Sequence, residues 1–344
     1  MISNNRIKTY THISTELACL SDRLLADLLD KAQSLHSGWG KSVLLTIDET
    51  SIFVKKVPLT DLEKCPENMM STANLFDLPL YYQYGVGSAG FGVWRELATH
   101  IMTSNWVISG ECPNFPIMYH WRVLPCLKPD PMNAEQLKEL ERDVQYWENS
   151  SSIRKRLEAI HQASSEVLFF LEYVPQNLHQ WLAAQLIVGE DAAGQAVSFV
   201  EQQIKTTNNF MNERGLLHFD AHFKNILTDG KFLYFTDFGL ALSSKFELTK
   251  SEIEFLNIHR HYDTYSTITN LLHCIITTLF GKDNWEIRLQ EYLHNEEKKL
   301  PSFIETMIRQ YAPIAFVMDE FYQKLQKKSK LTPYPSRHLE SLTC

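Results

Sequence analysis

The sequence of 344 residues lacks any apolar run long enough to span a membrane, and its first residues lack the apolar core of a secretory signal. Its six cysteines are scattered, with no C-x-x-C pair and no cysteine–histidine pair at the spacing of a zinc site. These absences argue against a membrane-spanning, a zinc-stabilised or a disulfide-stapled protein. They predict a cytoplasmic protein with reduced thiols, and export by a route that needs no such signal is the alternative.

Positive charge is also scarce, because 33 lysines and arginines stand against 41 aspartates and glutamates, which gives a formal net charge of −8. Nucleic acids and anionic membranes attract proteins through clustered cations, so we expect neither as a partner. The hydrophobic fraction of 44% is enough to build a buried core. The length suits either one two-lobed unit or two modest domains.

The most informative stretch runs from Leu217 to Ala241, with the sequence LHFDAHFKNILTDGKFLYFTDFGLA. It contains the pattern H-x-D-x-x-x-x-N, with Asp220 and Asn225, followed by D-F-G, with Asp237. A short apolar strand, residues 232–235, joins the two halves. Phosphoryl transfer depends on positioning and on neutralising phosphate charge with magnesium, and two carboxylates and an amide suit that chemistry. The alternative is an ordinary hairpin with polar turns that follows a helix end.

These motifs resemble, in order and spacing, the catalytic and metal-binding loops of the protein-kinase-like superfamily, which includes protein kinases, aminoglycoside phosphotransferases and choline kinases. The resemblance implies that Asp220 accepts or orients the proton of an acceptor hydroxyl. It also implies that Asn225 and Asp237 hold Mg²⁺ or Mn²⁺ and that ATP is the donor. His222 favours the small-molecule branch, D-F-G-L-A favours the protein kinases, and Phe219 fits neither, so the acceptor class stays open.

Two β-rich runs, residues 42–48 and 51–57, are separated by a short polar turn and predict a hairpin. The second run resembles the V-A-I-K strand of kinases, which makes Lys55 the candidate phosphate-contacting lysine and directs Lys56 to the opposite face. Glu96, in a helix-like run, is the candidate partner of Lys55. The alternatives are a solvated lysine pair on an edge strand and an exposed helix glutamate.

The glycine-rich phosphate loop is the main departure from the kinase pattern. Before Lys55 there is only the partial match Gly38–Gly40. A fuller match, residues 85–92 with Gly87 and Gly90, follows the lysine and leads into a helix-like run. Glycines let backbone amides approach a phosphate, and a helix N-terminus favours an anion. Either run could cover the phosphates, and a flexible or tightly packed turn is the alternative for the second.

Residues 167–173, VLFFLEY, resemble the strand that leads into the connection between the lobes of a kinase. The resemblance implies that the backbone of Glu172, Tyr173 and Val174 bonds the edge of adenine. That contact requires no particular side chain, so its support in the sequence is the pattern of an apolar strand that ends at this point.

The resemblance implies an α+β, two-lobed kinase-like fold. The first lobe, residues 1–174, is expected to hold an antiparallel sheet and a helix, with insertions at residues 58–84 and 129–162. The second lobe, residues 175–344, is expected to be mostly helical and to carry the catalytic loop and D-F-G. Apolar residues at helical spacing in residues 15–35 predict an amphipathic helix ahead of the first strand.

Further helices are expected around the motif. Residues 196–214 predict a helix that delivers the catalytic loop and ends at a glycine. Residues 259–281 resemble the central helix of the second lobe, in which Asp263 would bond the backbone of the catalytic loop. His218 is interpreted as a buried histidine that braces the same loop, and the tail, residues 331–344, is expected to be a loop.

The expected reaction is therefore transfer of the γ-phosphoryl group of ATP to a hydroxyl on a protein or a small molecule. Two alternatives remain, a pseudokinase that acts as a binding module and transfer of AMP on the same fold. The A-P-E sequence of protein-kinase activation segments is missing, which favours a small-molecule acceptor.

Overall fold

The computed structural model describes residues 4–35, 41–127, 130–281, 285–294 and 300–342. The chain divides into two units. The first consists of Met1–Tyr173 with the later segments Asp237–Ala241 and Lys245–Thr249, and the second consists of Val174–Thr236, Leu242–Ser244 and Lys250–Cys344. The division places the D-F-G tripeptide in the first unit and the H-x-D loop in the second.

The first unit contains a five-stranded antiparallel sheet in the spatial order β1-β2-β3-β5-β4. Its strands are β1 (Gln33–Leu35), β2 (Lys41–Ile47), β3 (Thr50–Leu59), β4 (Met118–Pro125) and β5 (Ser165–Glu172). The turn between β2 and β3 consists of Asp48 and Glu49, which both have positive φ angles. Two such residues give the turn whose twist matches a hairpin. The predicted hairpin is thus confirmed.

Helix α4 (Val93–Ile108) packs on one face of this sheet. Its start contributes Val93, Trp94 and Leu97 to a buried cluster with strand residues such as Val167 and Phe169. The sequence favours this packing because the apolar residues of α4 recur at helical spacing, while alternate residues of the strands are apolar.

Two helices precede the sheet, α1 (Asn4–Cys19) and α2 (Asp22–Asp30). The prediction of one helix over residues 15–35 is therefore wrong. Ser21 interrupts it, because its hydroxyl accepts the backbone N–H of Leu24 and so begins a new helix. Leu25 and Leu29 are buried, whereas Leu24 of the predicted apolar stripe is 49% exposed.

The two predicted insertions contain short helices that pack together. The first holds α3 (Asp61–Lys64) and two 3₁₀ turns, and the second holds α5 (Ala134–Tyr146) and α6 (Ser151–His161). Tyr82 from the first insertion and Trp147 from the second meet edge to face with ring centroids 4.7 Å apart. Beside them Nη1 of Arg156 lies 2.9 Å from Oε2 of Glu63, and both side chains are buried.

Glu63 also fixes the start of α4. Its carboxylate accepts the backbone N–H of Val93 at 2.9 Å, and its carbonyl oxygen accepts Nε1–H of Trp94. A helix N-terminus carries unpaired N–H groups and a partial positive charge, so a carboxylate is stabilising there. The two insertions together therefore hold the helix that carries Glu96.

The second unit is mostly helical. Its helices are α7 (Leu178–Leu186), α8 (Glu190–Glu213), α9 (Lys250–Ile258), α10 (Tyr262–Phe280), α11 (Trp285–His294), α12 (Ser302–Lys327) and α13 (Ser336–Ser341). Its short strands are β6 (Gln176–Asn177), β7 (Leu216–Leu217), β8 (Ile226–Thr228), β9 (Leu233–Phe235) and β10 (Leu242–Ser243), which form a three-stranded sheet β6-β8-β9 and a pair β10-β7.

The central helix of this unit is α10, which contacts α7, α8, α11 and α12. Helix α8 begins six residues earlier than expected, and α13 lies in the tail that was expected to be a loop. The fold as a whole is α+β, as the sequence predicted. In the described ranges, no helix combines the length and the apolar character needed to cross a membrane.

We predict that Glu63→Ala destabilises the first unit by about 3–5 kcal/mol, because it leaves Arg156 buried without its counter-charge. Urea denaturation followed by tryptophan fluorescence measures this, since Trp94 lies against Glu63. Arg154→Ala is the control, because Arg154 lies on α6 like Arg156 but pairs with Glu141 at the surface. Similar losses in both variants would contradict the prediction.

Candidate functional site

Lys55 lies in β3 on the face of the sheet that packs against α4. Phe53 and Val57, two residues before and two after it, pack against the core cluster of that face, and side chains alternate along a strand. Lys56 faces the opposite way and lies 3.8 Å from Glu166. The two lysines therefore have different surroundings, as the alternation predicted.

Two carboxylates hold the ammonium group of Lys55. Its Nζ lies 2.5 Å from Oε1 of Glu96 and 2.8 Å from Oδ1 of Asp237. The side chains of Lys55 and Glu96 are 15% and 4% exposed, and that of Asp237 is 42% exposed. The predicted pair of Lys55 and Glu96 is present, and the D-F-G aspartate joins it.

Mutual attraction keeps this buried pair ionised. Burial by itself lowers the pKa of Lys55, but the charges of Asp237 and Glu96 outweigh burial and raise that pKa above its ordinary value. Burial by itself raises the pKa of Glu96, and the ammonium of Lys55 reverses that effect and lowers the pKa. Lys55 and Glu96 are therefore both charged at neutral pH, and one carboxylate of the group remains accessible to solvent.

The packing of the D-F-G tripeptide positions Asp237. The buried ring of Phe238 lies edge-on to His100 of α4, with centroids 5.0 Å apart. Two residues later, the side-chain amide of Gln83 donates to the carbonyl oxygen of Leu240. Asp237 itself has a φ of +65°, a left-handed conformation that aspartate tolerates better than most residues.

The glycine-rich run, residues 85–92, approaches D-F-G closely. Gly90 has a φ of +73°, and a Cβ atom there would collide with the carbonyl oxygen of Gly239. Gly87 has a φ of +100°, but a Cβ there would meet nothing within 4 Å. Gly90 is thus required for close backbone packing, a role that the sequence offered only as the alternative to phosphate binding.

The helix after this run does not offer its first amide to a phosphate. The N–H of Val93 donates to Glu63, so a carboxylate of the chain itself takes the place of an anion at the start of α4. This corrects one part of the expectation for residues 85–92, whose phosphate binding would depend on their other amides. The competing run, Gly38–Gly40, lies outside the described residues.

In the second unit, Asp220 and Asn225 contact each other. Nδ2 of Asn225 donates to the carbonyl oxygen of Asp220 at 3.1 Å and to its Oδ2 at 3.0 Å. Oδ1 is therefore the atom that Asn225 would offer to a metal ion. Nε2 of His222 lies 3.9 Å from Oδ1 of Asp220, beside the carboxylate.

Two buried side chains fix the backbone before Asp220. The carboxylate of Asp263 accepts the N–H groups of His218 at 2.6 Å and Phe219 at 2.9 Å. The ring of His218 donates from Nε2 to the carbonyl oxygen of Thr236 and accepts the N–H of Asp220 at Nδ1. The expected contacts of Asp263 and His218 are confirmed. Burial raises the pKa of Asp263 to about 6, although the two N–H groups act to lower it.

A cluster of rings holds Phe219, whose φ is +61°. Its ring lies 5.7 Å from Phe255, 5.6 Å from His259 and 4.8 Å from Tyr262, and Tyr334 stacks on His259 at 4.5 Å. The sequence showed Phe219 only as a departure from the family. The three partners lie in α9, between α9 and α10, and in α10, so a single helical periodicity does not predict their shared contact.

Glu172 is the last residue of β5. Tyr173 ends the long N-terminal segment of the first unit, and Val174 begins the second unit. The N–H of Glu172 donates to the carbonyl oxygen of Ile117 at 2.8 Å. The N–H of Glu172 is therefore already paired within the chain. Arg6 binds the Glu172 side chain, a contact that the sequence did not indicate.

The predicted site residues form two groups, Lys55 with Glu96 and Asp237 in the first unit and Asp220 with Asn225 in the second. Sequence reasoning missed Glu63 and Arg6. Thr60 and Glu63 do form a capping box, a pattern that is readable as a helix start. Its further bonds to α4 and Arg156 have no local sequence signal.

Asp237 and Asn225 are suited to Mg²⁺, which prefers carboxylate and amide oxygens. Asp237 in particular combines solvent exposure with a fixed position beside Lys55. In the portion of the chain that the structure describes, no group of three or more histidine, cysteine, aspartate or glutamate side chains is arranged to hold a metal ion.

Comparison with known proteins leaves the family of the chain undetermined. No protein-family model matches it, and no curated protein is significantly similar to it. The residues and their geometry are therefore the basis for assigning a function.

We predict that Gly90→Ala lowers stability by about 2 kcal/mol or more, because it combines a left-handed φ with a collision against Gly239. Gly87→Ala is the matched control, since it has the positive φ without the collision. Thermal unfolding of both variants measures the difference. Equal losses would show that the contact with Gly239 is unimportant.

We predict that His259 makes the second unit sensitive to acid. Burial lowers the pKa of His259 to about 4, whereas an unfolded histidine has a pKa near 6.5. The unfolded state therefore binds more protons in this window, and stability falls as the pH drops from about 6.5 through 4.

Between pH 7.5 and 5 the wild type should lose about 2 kcal/mol more than His259→Phe, which keeps a ring but cannot titrate. Urea denaturation at the two pH values gives both losses. An identical pH dependence in the two proteins would show that His259 does not control the effect.

Proposed function

We propose that this chain is an ATP-dependent phosphotransferase with a two-lobed kinase-like fold, which transfers the γ-phosphoryl group of ATP to a hydroxyl. The observation that carries the proposal is the buried ammonium of Lys55 between Glu96 and Asp237. In kinases a strand lysine paired with a helix glutamate contacts the phosphates, and the D-F-G aspartate holds magnesium. The antiparallel sheet with α4 suits the first lobe, and the helical second unit suits the second.

The electrostatics of Lys55 support a phosphate-binding role. The lysine stays charged despite its burial, because two carboxylates raise its pKa. When a triphosphate binds, its oxygens would compete with Asp237 for the ammonium, while Glu96 keeps Lys55 in place. Mg²⁺, when bound, would neutralise charge on the phosphates. Asp237 would then contribute a carboxylate oxygen to that ion.

Asp220 and Asn225 would act on the acceptor side. The acceptor hydroxyl oxygen forms a bond to the γ-phosphorus, the bond from that phosphorus to the ADP oxygen breaks, and the hydroxyl proton passes to Asp220. Asn225 fixes Asp220 through its side-chain N–H group and would offer Oδ1 to a metal ion. Asp263 and His218 would keep the loop in the conformation required for this contact.

The backbone of Glu172, Tyr173 and Val174 would bind adenine in this proposal. The acceptor is a hydroxyl on either a protein or a small molecule, and the reaction is expected in the cytoplasm, where ATP is abundant. A binding module without turnover and transfer of AMP use the same residues, so they are outcomes of the experiment below.

We predict that the purified chain transfers label from γ-labelled ATP in the presence of Mg²⁺, and that Asp237→Ala and Lys55→Met each lower the rate by about a hundredfold or more. Lys56→Met is the matched control, because Lys56 neighbours Lys55 on the opposite face and pairs with Glu166. Its rate should equal that of the wild type.

Separate incubations with a generic protein and with small-molecule alcohols would identify the acceptor class. Label transferred from α-labelled ATP instead would indicate AMP transfer. Nucleotide binding without any transfer would favour the binding module, and a chain that binds no nucleotide would rule out the proposed function.

A further inference from the structure

Arg6, near the start of α1, makes a two-pronged contact with Glu172 at the end of β5. Its Nε donates to Oε1 of Glu172 at 2.9 Å, and its Nη2 donates to Oε2 at 2.6 Å. The side chains of Arg6 and Glu172 are only 14% and 18% exposed. A planar guanidinium paired with both oxygens of a carboxylate fixes distance and orientation together, which a lysine cannot do.

The same arginine also binds the loop before β4. Its Nη1 donates to the carbonyl oxygen of Pro113 at 3.0 Å, and its Nη2 donates to that of Phe115 at 2.7 Å. These four oxygen acceptors belong to two segments far from α1 in the sequence. The guanidinium thus joins α1, the loop before β4 and the end of β5 in one group.

Glu172 is held from a second side by the start of β4. The N–H of Ile117 donates to Oε2 of Glu172 at 3.1 Å, and the N–H of Glu172 donates to the carbonyl oxygen of Ile117 at 2.8 Å. Next to Ile117, the N–H of Met118 donates to the hydroxyl of Ser104 in α4 at 2.8 Å. The end of β5 is thus connected through hydrogen bonds to α1 and to the helix that carries Glu96.

We propose that Arg6 is a positioning residue for nucleotide binding, which holds the end of β5 in the conformation that contacts the adenine ring. This inference rests on the proposed function, in which the backbone of Glu172, Tyr173 and Val174 binds adenine. Without Arg6, the Glu172 carboxylate would lose its counter-charge and two of its donors. The strand end would then rearrange to hydrate that carboxylate, and the adjacent backbone would move with it.

The proposal predicts an effect on one part of the nucleotide. Arg6 bonds the strand end assigned to adenine, whereas Lys55 and Asp237 are assigned to the phosphates. Loss of Arg6 should therefore weaken binding of ligands that carry adenine and spare ligands that consist of phosphate alone. A general loss of folding would weaken both.

The test compares dissociation constants of Mg·ADP and Mg·tripolyphosphate, measured by calorimetry with the full chain. We expect Arg6→Ala to weaken ADP binding by about tenfold or more and to leave tripolyphosphate binding unchanged. Arg6→Lys, which keeps the charge but not the two-pronged contact, should give an intermediate loss for ADP.

Arg122→Ala is the matched control. Arg122 of β4 also binds the N-terminal helices, through the carbonyl oxygens of Leu17 and Leu20 and the carboxylate of Asp22, but it does not contact Glu172. It should bind both ligands like the wild type. Thermal unfolding of each variant shows that the proteins compared are folded.

Wild-type affinity for ADP in Arg6→Ala would overturn the inference, and so would an equal loss of ADP and tripolyphosphate binding. If Arg122→Ala lost as much ADP affinity as Arg6→Ala, the inference would also be overturned. The effect would then come from loosening the N-terminal helices in general and not from the contact with Glu172. A wild type that binds neither ligand would instead overturn the proposed function, and this inference with it.

Discussion

A buried ammonium group is the constraint on which the first unit depends. Lys55 can remain charged inside the protein only because two carboxylates meet it, one from α4 and one from 182 residues further along the chain. Its strand, that helix and the D-F-G segment must therefore keep a fixed geometry. Glu63 holds the start of the helix, and Gly90 permits the close approach of the segment.

In the second unit, the comparable constraint is that the backbone N–H groups of the loop before Asp220 must find partners. The loop before Asp220 departs from regular structure, so its N–H groups need partners other than a helix or strand. Asp263 accepts two of them and His218 accepts a third, while Phe219 lies among aromatic rings. These buried contacts fix the backbone at Asp220, and the side-chain amide of Asn225 holds its carboxylate through Oδ2.

Local sequence patterns predicted what local physics determines. Alternation along β3 distinguished Lys55 from Lys56, and helical spacing with the motif context identified Glu96 and Asp263. Local reading failed at Ser21, where a helix cap divides one apolar stripe between two helices. It also could not find the partners of Arg6, because Arg6 and Glu172 are 166 residues apart and meet only through the topology of the sheet. The periodicity of apolar residues likewise does not predict that the two insertions pack against each other.

The division of the chain has a consequence for its synthesis on the ribosome. The first unit includes Asp237–Ala241 and Lys245–Thr249, so it cannot be completed when the chain has grown only to Tyr173. At about 5–20 residues per second, the remaining stretch takes about 4–15 s to emerge. During that interval Lys55 and Glu96 are present without Asp237. Folding of the first unit can therefore finish only after the segment with Asp237 has been synthesised.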